Sequence, residues 1–136
     1  MQTHPPEEVL IFDDCSDDGT IEFIIKYIDD WHLHNWIFKK NKTNKGYAKN
    51  FLDGIKEAHG DVVFLADQDD VWRKDKIEKM VGAFESCPDA ELILSDLEPL
   101  YMSDQAPRVN YQTIKRSGKI SNTSSWIKPI RPGCTM

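Results

Sequence analysis

The 136 residues are 40% hydrophobic with seven glycines and seven prolines, the composition of one globular domain and not of a disordered chain. A formal charge of −6 repels phosphate backbones and anionic headgroups, so no nucleic acid partner is expected. Cys15, Cys87 and Cys134 are odd in number and lack CxxC spacing, which excludes a disulfide framework and a zinc site and fits a reducing cytosol.

In chain order, the first element is the apolar run Val9 to Phe12, which ends abruptly in acid, the mark of a strand buried on both faces. A turn from Asp13 to Gly19 leads into a helix whose apolar face is Ile21, Ile24, Ile25, Ile28 and Trp31. Trp36 to Phe38 is a second strand. The stretch from Lys39 to Lys49 holds five lysines and no acid, with Asn41, Asn44 and Asn50 in or beside it. Such a stretch suits a phosphorylated small molecule as well as it suits a solvated loop. Ala48, Phe51, Leu52, Ile55 and Ala58 then repeat helical spacing up to Gly60, read as the C-terminal stop.

Val62 to Ala66 reads as a third strand, running straight into Asp67, Asp69 and Asp70. Ile77, Met80, Val81 and Phe84 form one face of a further helix closed by Pro88, and Leu92 to Leu94 reads as a fourth strand ending at Ser95-Asp96. Strands alternating with helices predict an α/β fold, a mostly parallel sheet flanked by helices, with ligands beyond the carboxyl ends of the strands. No run approaches the roughly 20 apolar residues of a membrane-spanning helix, and the N-terminus lacks the basic-then-apolar order of a secretory signal. Attachment at the inner membrane face would need a segment outside these residues.

The acids at the two strand ends carry the chemistry. In Asp13-Asp14-Cys15-Ser16-Asp17-Asp18-Gly19-Thr20, helix capping by Ser16 or Asp18 accounts for one or two acids but not for four. A calcium loop matches at Asp14, Ser16, Asp18 and Gly19, yet its twelfth position, where a bidentate Glu is required, is Ile25. An aspartyl-phosphatase motif would need its nucleophile where Ser16 stands. In Asp67-Gln68-Asp69-Asp70, an Asp-x-Asp at a strand end suits a divalent cation, Mn²⁺ or Mg²⁺, whose remaining ligands are diphosphate oxygens. Helix-dipole complementarity, at roughly 0.3–1 kcal/mol per acid, needs one of these carboxylates and not three. No Gly-x-Gly-x-x-Gly follows the first strand, which counts against a dinucleotide oxidoreductase.

Three segments in this order resemble family 2 glycosyltransferases. Val9 to Thr20 is similar to the family's strand with Asp-Asp-x-Ser-x-Asp-Gly-Thr, and Asn44 to Asn50 to its Asn-x-Gly-x-x-x-Asn segment. Phe64 to Trp72, followed by Asp75 and Ile77, is similar to its metal-binding strand end. The Asp-Gln-Asp-Asp-x-Trp variant, with Gly133-Cys134-Thr135-Met136, looks most like bacterial rhamnosyltransferase-like members.

The resemblance implies a GT-A fold and inverting transfer of a sugar from a nucleoside-diphosphate sugar to a saccharide or lipid-linked saccharide acceptor. It implies that Asp14, with Asp13 beside it, receives the nucleobase N–H and that Lys45 and Asn50 line the nucleotide pocket. Asp69 would bind the metal, Asp67 would sit by the ribose or metal, and Trp72 would bound the sugar or serve as packing.

It further implies one partial domain over residues 1–136, with residues 8–97 as the nucleotide-sugar core and 98–136 opening the acceptor region. The family's first strand would precede the chain, and its general base would lie beyond residue 136. His4, His32, His34 and His59 lie outside the three motifs and do not supply that base. A binding module without turnover is the rival reading, and an incomplete sheet predicts self-association.

Overall fold

The computed structural model describes residues 1–95 and 100–106, so Asp96 and the Gly133 to Met136 motif lie outside the described residues. The elements are β1 (Val9–Asp13), α1 (Thr20–Asp30), β2 (Trp36–Lys40), α2 (Tyr47–Glu57) and α3 (Lys76–Ser86). They divide between two compact units, Met1–Leu65 and Ala66–Met136. No described helix is long and apolar enough to cross a membrane.

The first unit is α/β. β1 and β2 pair in parallel, with Val9 opposite Trp36 and Asp13 opposite Lys40. A parallel pair needs a crossover, and α1 supplies it. The ladder is closed at one end by the Val9 N–H on the Asn35 carbonyl (3.0 Å) and at the other by the Asn41 N–H on the Asp13 carbonyl (2.8 Å). Strand alternation therefore turns the backbone groups of Leu10 and Phe12 to the edge away from β2.

Both helices of this unit bury less than their sequence patterns suggest. In α1, Ile21, Ile24 and Ile28 are half-buried, whereas Ile25 and Trp31 are 54% and 62% exposed. A two-stranded surface covers a narrow stripe, and α1 packs mainly on β2. Phe23, Tyr27 and Trp31 form an exposed row of rings with centroids 6.2 and 6.0 Å apart.

In α2, which packs on β1, the packed side is Asn50, Phe51, Gly54 and Ala58, while Leu52 and Ile55 face outward. Gly54 lies against β1, where a Cβ would meet the Phe12 ring at 3.5 Å, an ordinary contact distance. The helix ends at Ala58, whose extended backbone (ψ 141°) breaks it before Gly60 is reached.

In the second unit, α3 buries Ile77 and half-buries Met80, Val81 and Phe84, the face its spacing predicts, and stops before Pro88. Neither Val62 to Ala66 nor Leu92 to Leu94 is a strand. Apolar runs show what a segment can bury, but a strand exists only with a paired neighbour, and the described sheet has two members.

Two glycines make opposite predictions. Gly19 has φ +87°, so Gly19→Ala should cost about 1–2 kcal/mol. Gly54 is helical with room for a methyl at ordinary contact distance, so Gly54→Ala should gain about 0.5–1 kcal/mol. Chemical denaturation of the two variants checks both signs.

Candidate functional site

The site grows from the acid pair at the end of β1. Asp13 is buried, and its Oδ1 accepts the N–H groups of Cys15 (3.1 Å) and Ser16 (2.9 Å). That bond pattern turns the chain sharply, and Cys15 takes a left-handed φ of +77° within it. Asp18 then accepts both the amide and the hydroxyl of Thr20, which starts α1 after the left-handed Gly19. These bonds hold the Asp18 carboxyl below its ordinary range, the hydroxyl first and the amide second. Asp13 and Asp18 are thus turn residues, the second just ahead of the Gly19 N-cap.

Asp14 faces the loop after β2. Its Oδ1 accepts the Lys45 N–H (2.8 Å) and the Asn41 side-chain amide (2.9 Å), and its Oδ2 accepts the Gly46 N–H (2.8 Å). The Lys45 amide, outweighing the cost of desolvation, and then the Asn41 and Gly46 donors keep this carboxyl below its ordinary 3.8. A carboxylate has about four acceptor positions, so roughly one is left on Oδ2 for a further donor. Asn41, itself buried, gives its second proton to Asn50 Oδ1 (2.8 Å), and Asn50 Nδ2 donates to the Phe12 carbonyl (2.9 Å). This chain of bonds ties the ends of both strands, the loop and the first turns of α2 into one piece.

The structure therefore brings Asp13, Asp14, Lys45 and Asn50 together, four of the five residues expected to bind the nucleotide-sugar; Asp67 belongs to the other unit. It adds Asn41, which sequence reasoning leaves as one polar residue in a basic stretch. The parallel register identifies it, because it follows β2 directly opposite the acid pair. It also adds Asp53, whose two oxygens take the Lys45 ammonium (2.8 Å) and the Lys49 ammonium (3.2 Å).

The second acid cluster belongs to the other unit. Residues 67–70 form a turn closed by the Asp70 N–H on the Asp67 carbonyl (3.3 Å). Partial burial raises the Asp67 carboxyl above its ordinary range, and the neighbouring charges of Asp70 and then Asp69 raise it further. The Trp72 ring carries the Lys76 ammonium 4.1 Å from its centroid. Burial lowers the Lys76 pKa against the opposing pull of Asp70.

Among the described residues no three His, Cys, Asp or Glu side chains gather as a metal cage. Magnesium-type sites often use one or two carboxylates, with substrate phosphates and water completing the shell. The crowded charge around Asp67 is what a cation would relieve, so Asp67 and Asp69 fit as such a partial holder.

A parallel α/β sheet with polar side chains gathered beyond its strand ends is the architecture in which nucleotides and other small ligands bind. The chain belongs to glycosyl transferase family 2, whose model matches residues 1–128. It is 37% identical over 82 residues to TuaG of Bacillus subtilis, a glycosyltransferase named for teichuronic acid biosynthesis, covering 59% of this chain and 31% of that protein. It is 33% identical over 70 residues to the abequosyltransferase RfbV of Salmonella typhimurium, covering 52% and 21%. The chain thus spans about a third or less of the curated relatives it matches. No solved structure matches it significantly.

The depressed Asp14 carboxyl has a pH consequence. The clamp contributes fully above 3.8 and is lost as the pH falls through the lower folded value. The amide protons of Lys45 and Gly46 should therefore shift together, by NMR, with a midpoint below 3.8. Asn41→Ala should move that midpoint upward, since it removes a donor to the ionised form; a wild-type midpoint at or above 3.8 would contradict the clamp.

Proposed function

We propose that the protein to which this chain belongs transfers a sugar, with inversion, from a nucleoside-diphosphate sugar to a hydroxyl of a saccharide or lipid-linked saccharide acceptor. The observation that carries this reading is the Asp14 clamp: an ionised carboxylate fixed at a strand end by three hydrogen bonds, with about one acceptor position left for a nucleobase N–H.

Binding and orientation fall to residues of the first unit. Asn41 and Asn50 hold Asp14 and the loop rigid, so the carboxylate is organised before the ligand arrives. In the second unit, Asp67 and Asp69 would hold Mn²⁺ or Mg²⁺. When bound, the cation would neutralise charge developing on the departing diphosphate. The relatives' names, one for teichuronic acid biosynthesis and one for abequosyl transfer, support polysaccharide assembly as the setting.

Calorimetry with UDP, dTDP and GDP, each with and without Mn²⁺ or Mg²⁺, tests the reading. Metal-dependent binding of at least one is expected, and Asp69→Ala should weaken it by about tenfold or more, the scale of losing a carboxylate around a bound metal. Binding of none of them, or binding indifferent to Asp69, overturns the proposal.

The same reading includes self-association of the chain. Its supports are the edge of β1 away from β2 and exposed apolar side chains such as Phe23, Trp31, Tyr47 and Leu52. Sedimentation velocity should show dimers or larger species; a single monomer at all concentrations would refute it.

A further inference from the structure

Within the basic stretch, Lys45 and Lys49 converge on one acid. Asp53 holds the Lys45 ammonium on Oδ2 at 2.8 Å and the Lys49 ammonium on Oδ1 at 3.2 Å. The carboxylate is the least exposed member of the trio, at 22% against 33% for Lys45 and 61% for Lys49. Lys45 is held twice over, because its backbone N–H sits on Asp14 while its ammonium sits on Asp53.

We infer that Lys45 and Lys49 form a diphosphate subsite in which Asp53 is a built-in counter-ion that the ligand displaces. The inference rests on the nucleotide reading of the Asp14 loop and assigns the charged part of the ligand within it. The trio of two ammonium groups and one carboxylate carries one positive charge, which the Asp14 carboxylate beside Lys45 offsets in part, and the lysines are already pointed at a common anion. The lowered Asp53 carboxyl, held down first by Lys45 and then by Lys49, agrees with a group that stays ionised as their partner.

Partly exposed ion pairs of this kind are weak, whereas a diphosphate brings more charge and more acceptor oxygens than one carboxylate. Displacement is therefore downhill. With the site empty, Asp53 also keeps the two like charges from repelling each other out of position. A plain surface pair along a helix would link Lys49 and Asp53 alone; Lys45, which precedes the helix, has no such reason to join them.

The test uses inorganic pyrophosphate, which has neither base nor sugar, titrated into the chain by calorimetry at low salt. Asp53→Asn should tighten binding about two- to fivefold, the scale of releasing a partly exposed ion pair. Replacing Lys45 and Lys49 together by Ala should weaken it by at least as much. Asp30→Asn makes the same charge change in the Lys26–Asp30 pair of α1 and should leave binding unchanged. Asp53→Ser gives a second variant, and the Lys45 and Gly46 amide signals report whether each variant keeps the loop.

The inference fails if Asp53→Asn and Asp53→Ser bind no tighter than wild type with the loop intact, if Asp30→Asn tightens binding equally, or if no saturable binding occurs. Pyrophosphate binding that answers to Asp53, while no nucleoside diphosphate answers to Asp69, would keep the subsite and discard the transferase reading. The reverse result would discard the subsite alone.

Discussion

The first unit depends on one chain of hydrogen bonds, from the Phe12 carbonyl through Asn50 and Asn41 to Asp14 and on to the Lys45 and Gly46 amides. Two parallel strands have little sheet to hold them together, and no residue of α1 or α2 is fully buried. Polar bonds therefore do much of the positioning that a packed core would do elsewhere. Their satisfaction matters: a buried amide such as Asn41 left without partners would cost about 1–3 kcal/mol, comparable to a substantial part of a small unit's stability.

How much was legible beforehand varied with the kind of signal. Strands β1 and β2 and all three helices could be read, because apolar spacing acts locally, although α2 stops at Ala58 and not at Gly60. The orientation of α2 could not, since Leu52 and Ile55 have core composition yet are exposed, while Asn50 turns to the Phe12 carbonyl. Val62 to Ala66 and Leu92 to Leu94 have strand composition, but pairing is a long-range property that composition does not encode.

At the site, the types of residue were legible and their partners were not. The four acids between Asp13 and Asp18 looked alike in sequence, yet the fold divides them. Asp13 makes a turn, Asp18 a second turn ahead of α1, Asp14 a clamp, and Asp17 stays exposed. In the second cluster the like charges of Asp70 and Asp69 bear on Asp67, whereas three donors hold Asp14. Two carboxylate groups from one kind of motif thus carry opposite shifts, one set by donors and the other by burial and repulsion.

Asn50 also acts on the strand edge. The Phe12 carbonyl lies on the outer margin of β1, the row of backbone groups onto which a foreign strand could graft itself. By occupying that acceptor with a side chain, Asn50 blunts the template at its acid end. The residue that stiffens the loop around Asp14 thereby also narrows the stretch of strand edge open to misfolded neighbours.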